Sequence, residues 1–166
     1  MSAGLSQAEP VEAAASSTLR KAQGDASPTT VVAFREIADA DVDQVVALWE
    51  VCGLTRPWND PRLDIADARR TPTSTVLVGL ADGRVVSSAV AGYDGHRGWL
   101  YYVAVSPDAQ GGGLGRATVG AAEDWLRRLG VRKVRLMVRH GNERVLGFYD
   151  GLGYADSDCV VLGRDL

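Results

Sequence analysis

The 166-residue sequence is poor in the residues that build disulfide frameworks and metal sites. It has two cysteines, Cys52 and Cys159, without CxxC spacing, and only two histidines, so neither a disulfide framework nor a zinc site is expected. This cysteine usage favours a reducing cytoplasm. No apolar run approaches the ~20 residues that a membrane helix needs, and the N-terminus lacks the basic and apolar parts of a secretory signal. We therefore expect a cytoplasmic protein without a membrane partner.

A surplus of positive charge is also missing. The net charge is -3, which gives no support to a nucleic-acid partner, since such a partner normally requires a basic face. Acidic or phosphorylated ligands must then be held by local groups. The content of hydrophobic residues, 46%, and of charged residues, 23%, is ordinary for a globular protein, and the length favours one domain.

Residues 1–30 are rich in Ala, Ser and Thr and show no periodicity of large apolar residues. Such a segment has little surface to bury against the entropy of ordering it. We therefore predict a disordered or loosely helical tail over residues 1–30 and a folded domain over residues 31–166.

Periodicity and turn residues divide the domain into strands and helices in the order strand, two helices, three strands, helix, strand, helix, strand. The predicted strands cover residues 31–37, 74–80, 84–93, 99–105, 131–140 and 159–163. Asp39 or Asp41, Asp60 and Asn142 are the predicted N-caps of three helices. A hairpin at "ADG" implies antiparallel pairing, and the strand–helix–strand unit over 99–138 implies a parallel pair. The predicted fold class is α/β, with a mixed sheet and about four flanking helices.

The third long helix follows the glycine-rich stretch. Its apolar residues recur at three- and four-residue spacing, which predicts one buried face and an end at Gly130. The residues of that predicted face are Leu114, Thr118, Ala121, Trp125 and Leu129.

Four glycines lie within "PDAQGGGLGRA", residues 107–117, between a buried strand and this helix. Glycines before a helix let successive N–H groups converge on one point, where the helix dipole adds partial positive charge. The stretch predicts a phosphate cradle, with a simple tight connection as the alternative. It is not a nucleotide P-loop, because Arg116 and Ala117 follow Gly115 where Lys and Ser or Thr belong. A dinucleotide GxGxxG also fails, because Thr118 occupies the last position.

Gln110, Gly113 and Gly115 match the pattern Q/RxxGxG/A. Together with "YYVAVSPD" before it and "NERVLGFYDGLGY" after it, this pattern resembles the acetyl-CoA motif of the GNAT family of N-acetyltransferases. The order of predicted elements over residues 31–166 is similar to that family's acyl-CoA N-acyltransferase fold. "LWEVCGLTRPWNDP" and "GYDGHRGWLYYVAV" further resemble the YpeA-type bacterial members, which are related to the ribosomal-protein acetyltransferases.

The resemblance implies acetyl-CoA as cosubstrate. In the family, the strand before the glycine loop bulges and splays from its parallel neighbour, and the pantetheine arm enters the gap. The resemblance assigns the arm to the backbone of Val103, Ala104 and Val105, and the diphosphate to the N–H groups of the loop. The loop residues are Gly111, Gly112, Gly113, Leu114, Gly115 and Arg116, with the Arg116 side chain as a further partner. Gln110 at the loop entrance and the Asn142 amide complete the expected cofactor site.

For catalysis, the resemblance assigns Tyr149 as the general acid that protonates the departing thiolate; the alternative is a tyrosine of the core. The base is less evident, because no Glu occupies "WLYYVAV", where some family members carry one. Tyr102, Asp94 or His96 are candidates that would act through a water.

The acceptor is expected to be a small amine, an amino-acid-like molecule or a protein N-terminus. At pH 7, deprotonating a lysine amine costs about 4.6 kcal/mol and an α-amine about 1 kcal/mol, so a weakly basic amine is the easier acceptor. Acceptor contacts are expected from Trp58, Asn59, Asp94 and His96, although Asp60 and Asp94 also suit local cap and turn duties. The competing function is a GNAT-fold module that binds acyl-CoA as a sensor without turnover. Whether the chain forms a homodimer is left open.

Overall fold

The computed structural model describes residues 31–164. The tail predicted for residues 1–30 lies outside the described residues. Five strands form one sheet in the order β1-β2-β3-β4-β5. They are β1 Ala33–Glu36, β2 Ser74–Ala81, β3 Arg84–Tyr93, β4 Gly98–Val105 and β5 Val134–Leu136. The predicted strands over residues 31–136 are thus present, and the hairpin at "ADG" joins β2 to β3 with both Asp82 and Gly83 at positive φ.

The first four strands pair antiparallel, and β5 pairs parallel to β4, as the sequence predicts. The parallel register joins Gly98 to Val134 and Leu100 to Leu136. Between β4 and β5 the chain crosses over through the longest helix, which is the usual way to connect parallel neighbours. The mixed sheet is therefore confirmed.

Four α-helices lie within residues 31–164, and they flank the sheet. They are α1 Val42–Val51, α2 Pro61–Ala68, α3 Leu114–Arg128 and α4 Glu143–Asp150. The predicted cap of α2 is present, because the Asp60 carboxylate accepts the N–H groups of Arg62 at 2.8 Å and of Leu63 at 3.3 Å. The conformation at the start of α2 follows from this cap and from Pro61 at its first position.

Apolar residues cover both faces of the sheet. Val76 and Val78 pack with α1 and α2 on one face, whereas Leu77 between them packs with α3 and α4 on the other. Side chains alternate across a strand, so a strand buried on both faces carries a continuous apolar run. This explains why "TVLV" in β2 shows no polar alternation.

Three parts of the sequence prediction are wrong. The strand predicted over 159–163 is absent: these residues belong to no helix or strand, and Val160 is 85% exposed. A β-propensity run forms a strand only where a ladder partner is available. The strand predicted over 131–140 shrinks to three residues, because β5 leaves β4 after Leu136.

The buried face of α3 is also broader than predicted. Leu114, Thr118 and Trp125 are buried as expected, whereas Leu129 lies beyond the helix end and is 37% exposed. Val119, Ala122 and Leu126 are buried in addition. A helix that lies across a sheet buries a wider stripe than one row of residues at three- and four-residue spacing.

Two further properties concern residues 31–164 only. None of their helices is long and apolar enough to cross a membrane. No group of three or more His, Cys, Asp or Glu side chains in this part of the chain is arranged to hold a metal ion.

Candidate active site

Strand β4 contains a bulge at its centre. Val90 pairs with Tyr101 and Ser88 pairs with Ala104, so Tyr102 and Val103 together oppose the single residue Ala89. Tyr102 takes up the extra length with a φ of 48°, in the left-handed region that costs a non-glycine residue roughly 1 kcal/mol. The bulge that the family resemblance implies is therefore present, and its strained residue is Tyr102.

Beyond the bulge, β4 has an unpaired edge. The parallel pairing with β5 ends at Leu100, whereas β4 continues to Val105. The Ser106 N–H donates to the Val86 carbonyl at 2.9 Å, and ladder bonds alternate in direction along an antiparallel strand. The backbone groups of Val103 and Val105 therefore point away from β3, toward the gap where β5 has departed, and those of Ala104 point toward β3.

The glycine loop follows this edge and carries free donors. The loop amides of residues 111–116 donate no hydrogen bond to any acceptor within residues 31–164; the first loop-to-helix bond is made by the Ala117 N–H to the Gly113 carbonyl at 3.1 Å. No side chain caps α3. Gly111, Gly112 and Gly113 are solvent-exposed. The helix dipole and the unpaired N–H groups together suit an anion.

The structure requires glycine at two positions of the loop, for different reasons. Gly113 occupies the N-cap of α3 with φ 84°, a conformation that L side chains rarely adopt. Gly115 lies against α4: a Cβ built there would be 3.2 Å from the ring of Phe148. The second glycine of the motif is therefore needed for close packing of α4 on α3, in addition to any role in the cradle.

Gln110 fixes the loop to its surroundings instead of being solvated. Its amide donates to the Val105 carbonyl at 3.1 Å and accepts from the Arg144 guanidinium at 2.8 Å. Arg144, on α4, is a cation beside the loop that the sequence analysis missed, because nothing local signals a contact across 34 residues. The Arg116 guanidinium donates to the Gly151 carbonyl at 3.0 Å, at the end of α4.

Asn142 occupies the predicted N-cap position of α4, but its side chain does not cap the helix. Its backbone carbonyl accepts from Val145 and Leu146, while its side-chain amide has no partner within residues 31–164. The amide of this exposed residue is therefore available to a ligand.

Tyr149 is buried on the α3 side of the sheet, at 8% exposure. Its ring meets Phe148 and Tyr154 edge-on, with centroids 5.0 and 5.5 Å away. Its hydroxyl forms no hydrogen bond within residues 31–164 and is not among the fully buried unpaired atoms of this part of the chain, so it is open to solvent or to a ligand. Burial raises the pKa of Tyr149 to about 12, so the phenol stays protonated at neutral pH and can give up a proton there but cannot act as a base.

Tyr102 projects to the opposite side of the sheet. Its ring stacks on Trp49 with centroids 4.0 Å apart, and its hydroxyl donates to Asp64 at 2.5 Å. Asn59 donates to the same oxygen at 3.4 Å. Burial, followed by the hydrogen bond to Asp64, raises the pKa of Tyr102. This geometry argues against Tyr102 as a base, because its phenol is protonated and engaged with a carboxylate.

Asp94 and His96 are not brought to the bulge. They lie in the β3–β4 turn, and four residues of extended strand, about 13 Å, separate Gly98 from Tyr102. The Asp94 carboxylate accepts the N–H groups of His96 and Arg97 at 2.7 and 2.6 Å and the Trp99 indole at 2.8 Å. These bonds, that of Arg97 first, lower the pKa of Asp94 to about 2. Asp94 therefore stabilises the turn, and of the four predicted acceptor contacts only Asn59 touches the bulge.

Comparisons with known proteins agree with this fold. A model described as the acetyltransferase (GNAT) family matches residues 40–154. An acetyltransferase of Pectobacterium atrosepticum is 43% identical over 126 residues, which cover 76% of this chain and 89% of that protein. An acetyltransferase of Yersinia enterocolitica is 40% identical over 133 residues, which cover 80% and 94% of the two chains. The chain therefore belongs to the GNAT family. Like these relatives, it is an acetyltransferase.

Solved structures share the architecture. The aminoglycoside N-acetyltransferase AAC(6')-Iy bound to the bisubstrate analogue CoA-S-monomethyl-acetylneamine has a TM-score of 0.70 at 16% identity, over 81% of this chain and 98% of that one. The same enzyme in complex with CoA has a TM-score of 0.71 at 16% identity, over 82% and 95%. At this identity the likeness shows the fold alone.

Proposed function

We propose that this acetyltransferase moves the acetyl group of acetyl-CoA to a primary amine by direct attack in a ternary complex. The observation that carries the proposal lies on one side of the gap: within residues 31–164, no strand pairs with the edge of β4 beyond Leu100, and the amides of residues 111–116 donate no hydrogen bond. A pantetheine amide that enters a dry cleft must recover the hydrogen bonds that it had in water. An open strand edge supplies them.

The cofactor contacts follow from this placement. The Val103 backbone and the Val105 N–H would bind the pantetheine arm, since the Val105 carbonyl already accepts from Gln110, and the loop amides would bind the diphosphate. Arg144 and Arg116 supply positive charge at the loop, and the free Asn142 amide supplies a further donor. A phosphate held by several N–H groups and a guanidinium forms charge-assisted hydrogen bonds, which are stronger than neutral ones. We include Gln110 as the residue that positions the loop.

Acetyl-CoA supplies a thioester whose carbonyl carbon is open to attack. The neutral amine nitrogen forms the new C–N bond, and the C–S bond breaks as the tetrahedral intermediate collapses. The nitrogen loses its extra proton to solvent, the sulfur takes one from Tyr149, and the Tyr149 phenolate regains a proton from solvent. The unpartnered phenol of Tyr149 supports this role as general acid, because its raised pKa keeps the proton available at all neutral pH values.

The acceptor is proposed to be a small amine or a peptide α-amine. The fold neighbours include aminoglycoside acetyltransferases, which favours a small-molecule amine. The segments "LWEVCGLTRPWNDP" and "GYDGHRGWLYYVAV" support placement in the YpeA-type subgroup. The described residues show no carboxylate on β4 that could remove a proton, so an amine with a low pKa is the easier acceptor.

The test is a panel of amines and peptides incubated with acetyl-CoA, with free thiol as the readout. The panel contains diamines, amino sugars, amino acid amides and short peptides with free or blocked N-termini. We expect thiol release that depends on at least one primary amine, together with a matching gain of one acetyl group in its mass. Tight acetyl-CoA binding without release by any acceptor would contradict the proposal and favour an acyl-CoA sensor.

A further inference from the structure

The carboxylate of Asp64 on α2 has no cationic partner within residues 31–164 and, unlike that of Asp60, does not cap the helix. Asp43 on α1 pairs with Arg62 at 2.6 Å, and Asp67 on α2 pairs with Arg70 at the same distance. Asp64 lies on α2 between Arg62 and Asp67, which belong to these two pairs. It is half-buried and forms no ion pair within residues 31–164. Only one of its oxygens, Oδ2, accepts a side-chain hydrogen bond, from Tyr102. Oδ1 accepts no side-chain hydrogen bond within residues 31–164; the Arg56 guanidinium is near enough to oppose the rise in the pKa of Tyr102 but forms no ion pair with Asp64.

The partner of Asp64 is the strained residue of the bulge. Tyr102 holds a left-handed φ inside a strand, and its ring is fixed by the stack on Trp49. Residues held in unfavourable backbone regions persist where the surrounding structure determines them, often at functional sites. The phenol donates its hydrogen to Asp64, and its oxygen accepts only one long bond, from the Asn59 amide at 3.4 Å, so a second lone pair can accept from another donor. A carboxylate oxygen and a phenol oxygen thus form a small acceptor surface beside the open edge of β4.

The neighbouring loop adds an aromatic surface. Asn59 contacts the Tyr102 hydroxyl at 3.4 Å, which brings the end of the 55–60 loop to this point. Trp58, the preceding residue, is 76% exposed. Trp58 is thus an exposed aromatic residue adjacent in sequence to a residue that contacts the Tyr102 hydroxyl, and the face of an indole ring attracts an ammonium group.

The two tyrosines approach the gap from opposite faces of the sheet. Tyr102 packs with the α1 and α2 cluster, and Tyr149 packs with the α3 and α4 cluster, to which Val103 also contributes. The acid that we propose for the sulfur therefore lies on one face, and the Asp64–Tyr102 pair lies on the other. Such a division leaves separate faces for the leaving thiolate and for the entering nucleophile.

We propose that Asp64 and Tyr102 recognise the acceptor and select a primary amine that is cationic at neutral pH. The inference rests on the proposed function and deepens it by assigning the acceptor subsite. Two N–H groups of the ammonium donate to Asp64 Oδ1 and to the Tyr102 oxygen. After the third proton is lost to solvent, the same two contacts hold the neutral nitrogen with its lone pair free. Asp64 is thus a specificity-determining residue and not the catalytic base.

The experiment compares Asp64→Asn with Asp67→Asn in the full chain, using the best cationic acceptor from the amine panel. Both changes remove one carboxylate from α2 while keeping its shape, and Asp67 is paired with an exposed arginine. We expect Asp64→Asn to raise the KM for the amine about 10- to 100-fold, since a charged hydrogen bond is lost, with a much smaller change in kcat. The dissociation constant of acetyl-CoA should stay within about twofold, and Asp67→Asn should match the wild type in both constants.

A second variant tests the same subsite in case Asp64→Asn does not fold. Tyr102→Phe keeps the stack on Trp49 but removes the oxygen that bridges Asp64 and the amine, so it should raise the same KM by several-fold while acetyl-CoA still binds. If Asp64→Asn and Tyr102→Phe both bind acetyl-CoA normally and show the wild-type KM for the amine, the subsite is elsewhere and the inference is overturned. If the wild type acetylates no amine at all, the proposed function fails first and the subsite fails with it.

Discussion

The two ends of β4 differ in how they use their polar groups. At the end that begins with Gly98, the strand pairs on both sides, the Gly98 N–H reaches the Lys133 carbonyl at 2.9 Å, and Asp94 satisfies three donors of its own turn. At the end beyond the bulge, no strand within residues 31–164 pairs with the outer edge of β4, and the loop amides and the Tyr149 hydroxyl form no hydrogen bond within these residues.

The difference shows where the molecule can accept a ligand. The loop glycines are exposed, so their amides can bond water, and several unpaired N–H groups at a helix N-terminus also suit an anionic ligand. Two guanidinium Nε atoms at the paired end, those of Arg97 and Arg135, are also unpartnered. They are isolated single atoms. The end beyond the bulge, the splayed end, instead offers a row of N–H donors from the glycine loop. The comparison therefore predicts that substitutions at the splayed end change binding and turnover, and that those at the paired end change stability.

The largest effect is expected from a charge placed in the loop. Gly112 lies outside the left-handed region, and a Cβ there meets nothing within 4 Å, so Gly112→Asp should fold normally. Its carboxylate would face the diphosphate, and like charges in contact cost several kcal/mol, so the affinity for acetyl-CoA should fall about 100-fold or more. Calorimetric titration measures this loss. Gly120→Asp, two turns along α3 and also in open space, is the matched control and should bind as the wild type does.

A decrease of similar size, but in kcat and not in affinity, is expected when Tyr149 is replaced. Removing a general acid costs about 100-fold or more in kcat. Tyr149→Phe should therefore lower kcat by that factor and leave acetyl-CoA affinity unchanged. Tyr154→Phe is the control, because that ring lies 5.5 Å away and its hydroxyl donates to Glu123 at 2.8 Å. Equal kcat values for the two variants would contradict the assignment of Tyr149.

The same residue should make the fold sensitive to alkali. The pKa of Tyr149 is raised to about 12 in the folded state, above its ordinary value of 10. Its stabilising contribution is therefore complete below about pH 10 and is lost as the pH rises toward about 12, on the order of 2 kcal/mol in total. Urea unfolding at pH 8 and pH 11 measures the loss, and Tyr149→Phe should lose less stability over that interval than the wild type.

A smaller effect is expected where α4 touches the loop. Arg144→Gln removes the bond to Gln110 and a positive charge near the amides, so acetyl-CoA affinity should fall about 3- to 10-fold. Arg128→Gln, at the exposed end of α3, changes the net charge equally and should have little effect. Equal affinities for the two variants would show that Arg144 takes no part in cofactor binding.

The smallest effect is expected at the paired end. Asp94→Asn weakens the bonds to the β3–β4 turn and should lower the melting temperature slightly without changing the KM for either substrate. Because the pKa of Asp94 is lowered to about 2, its contribution is present above its unfolded pKa of about 4 and is lost as the pH falls from about 4 to about 2. A clear rise in the KM for the acceptor would instead show that Asp94 contacts the acceptor, as the sequence analysis expects.

Much of the fold was predictable because its signals are local. The strands over residues 31–105, the cap at Asp60 and the glycine loop each depend on periodicity or on residues within one turn. The strand over 159–163 was predicted wrongly for the same reason: its composition suits a strand, but no partner strand is offered to it. The hydroxyl contact of Tyr102 with Asp64 spans 38 residues, and no local pattern marks it.

The sequence by itself determined the family, the order of the elements and the position of the glycine loop, since these follow from residue types at short spacing. Only the tertiary structure decided which backbone groups remain unpaired, that Tyr102 absorbs the bulge, and that Asp64 is left without a cation. The physical reason is that a hydrogen bond is made or missed by segments that are distant along the chain. Their register becomes defined only when the sheet and its two layers of helices have packed.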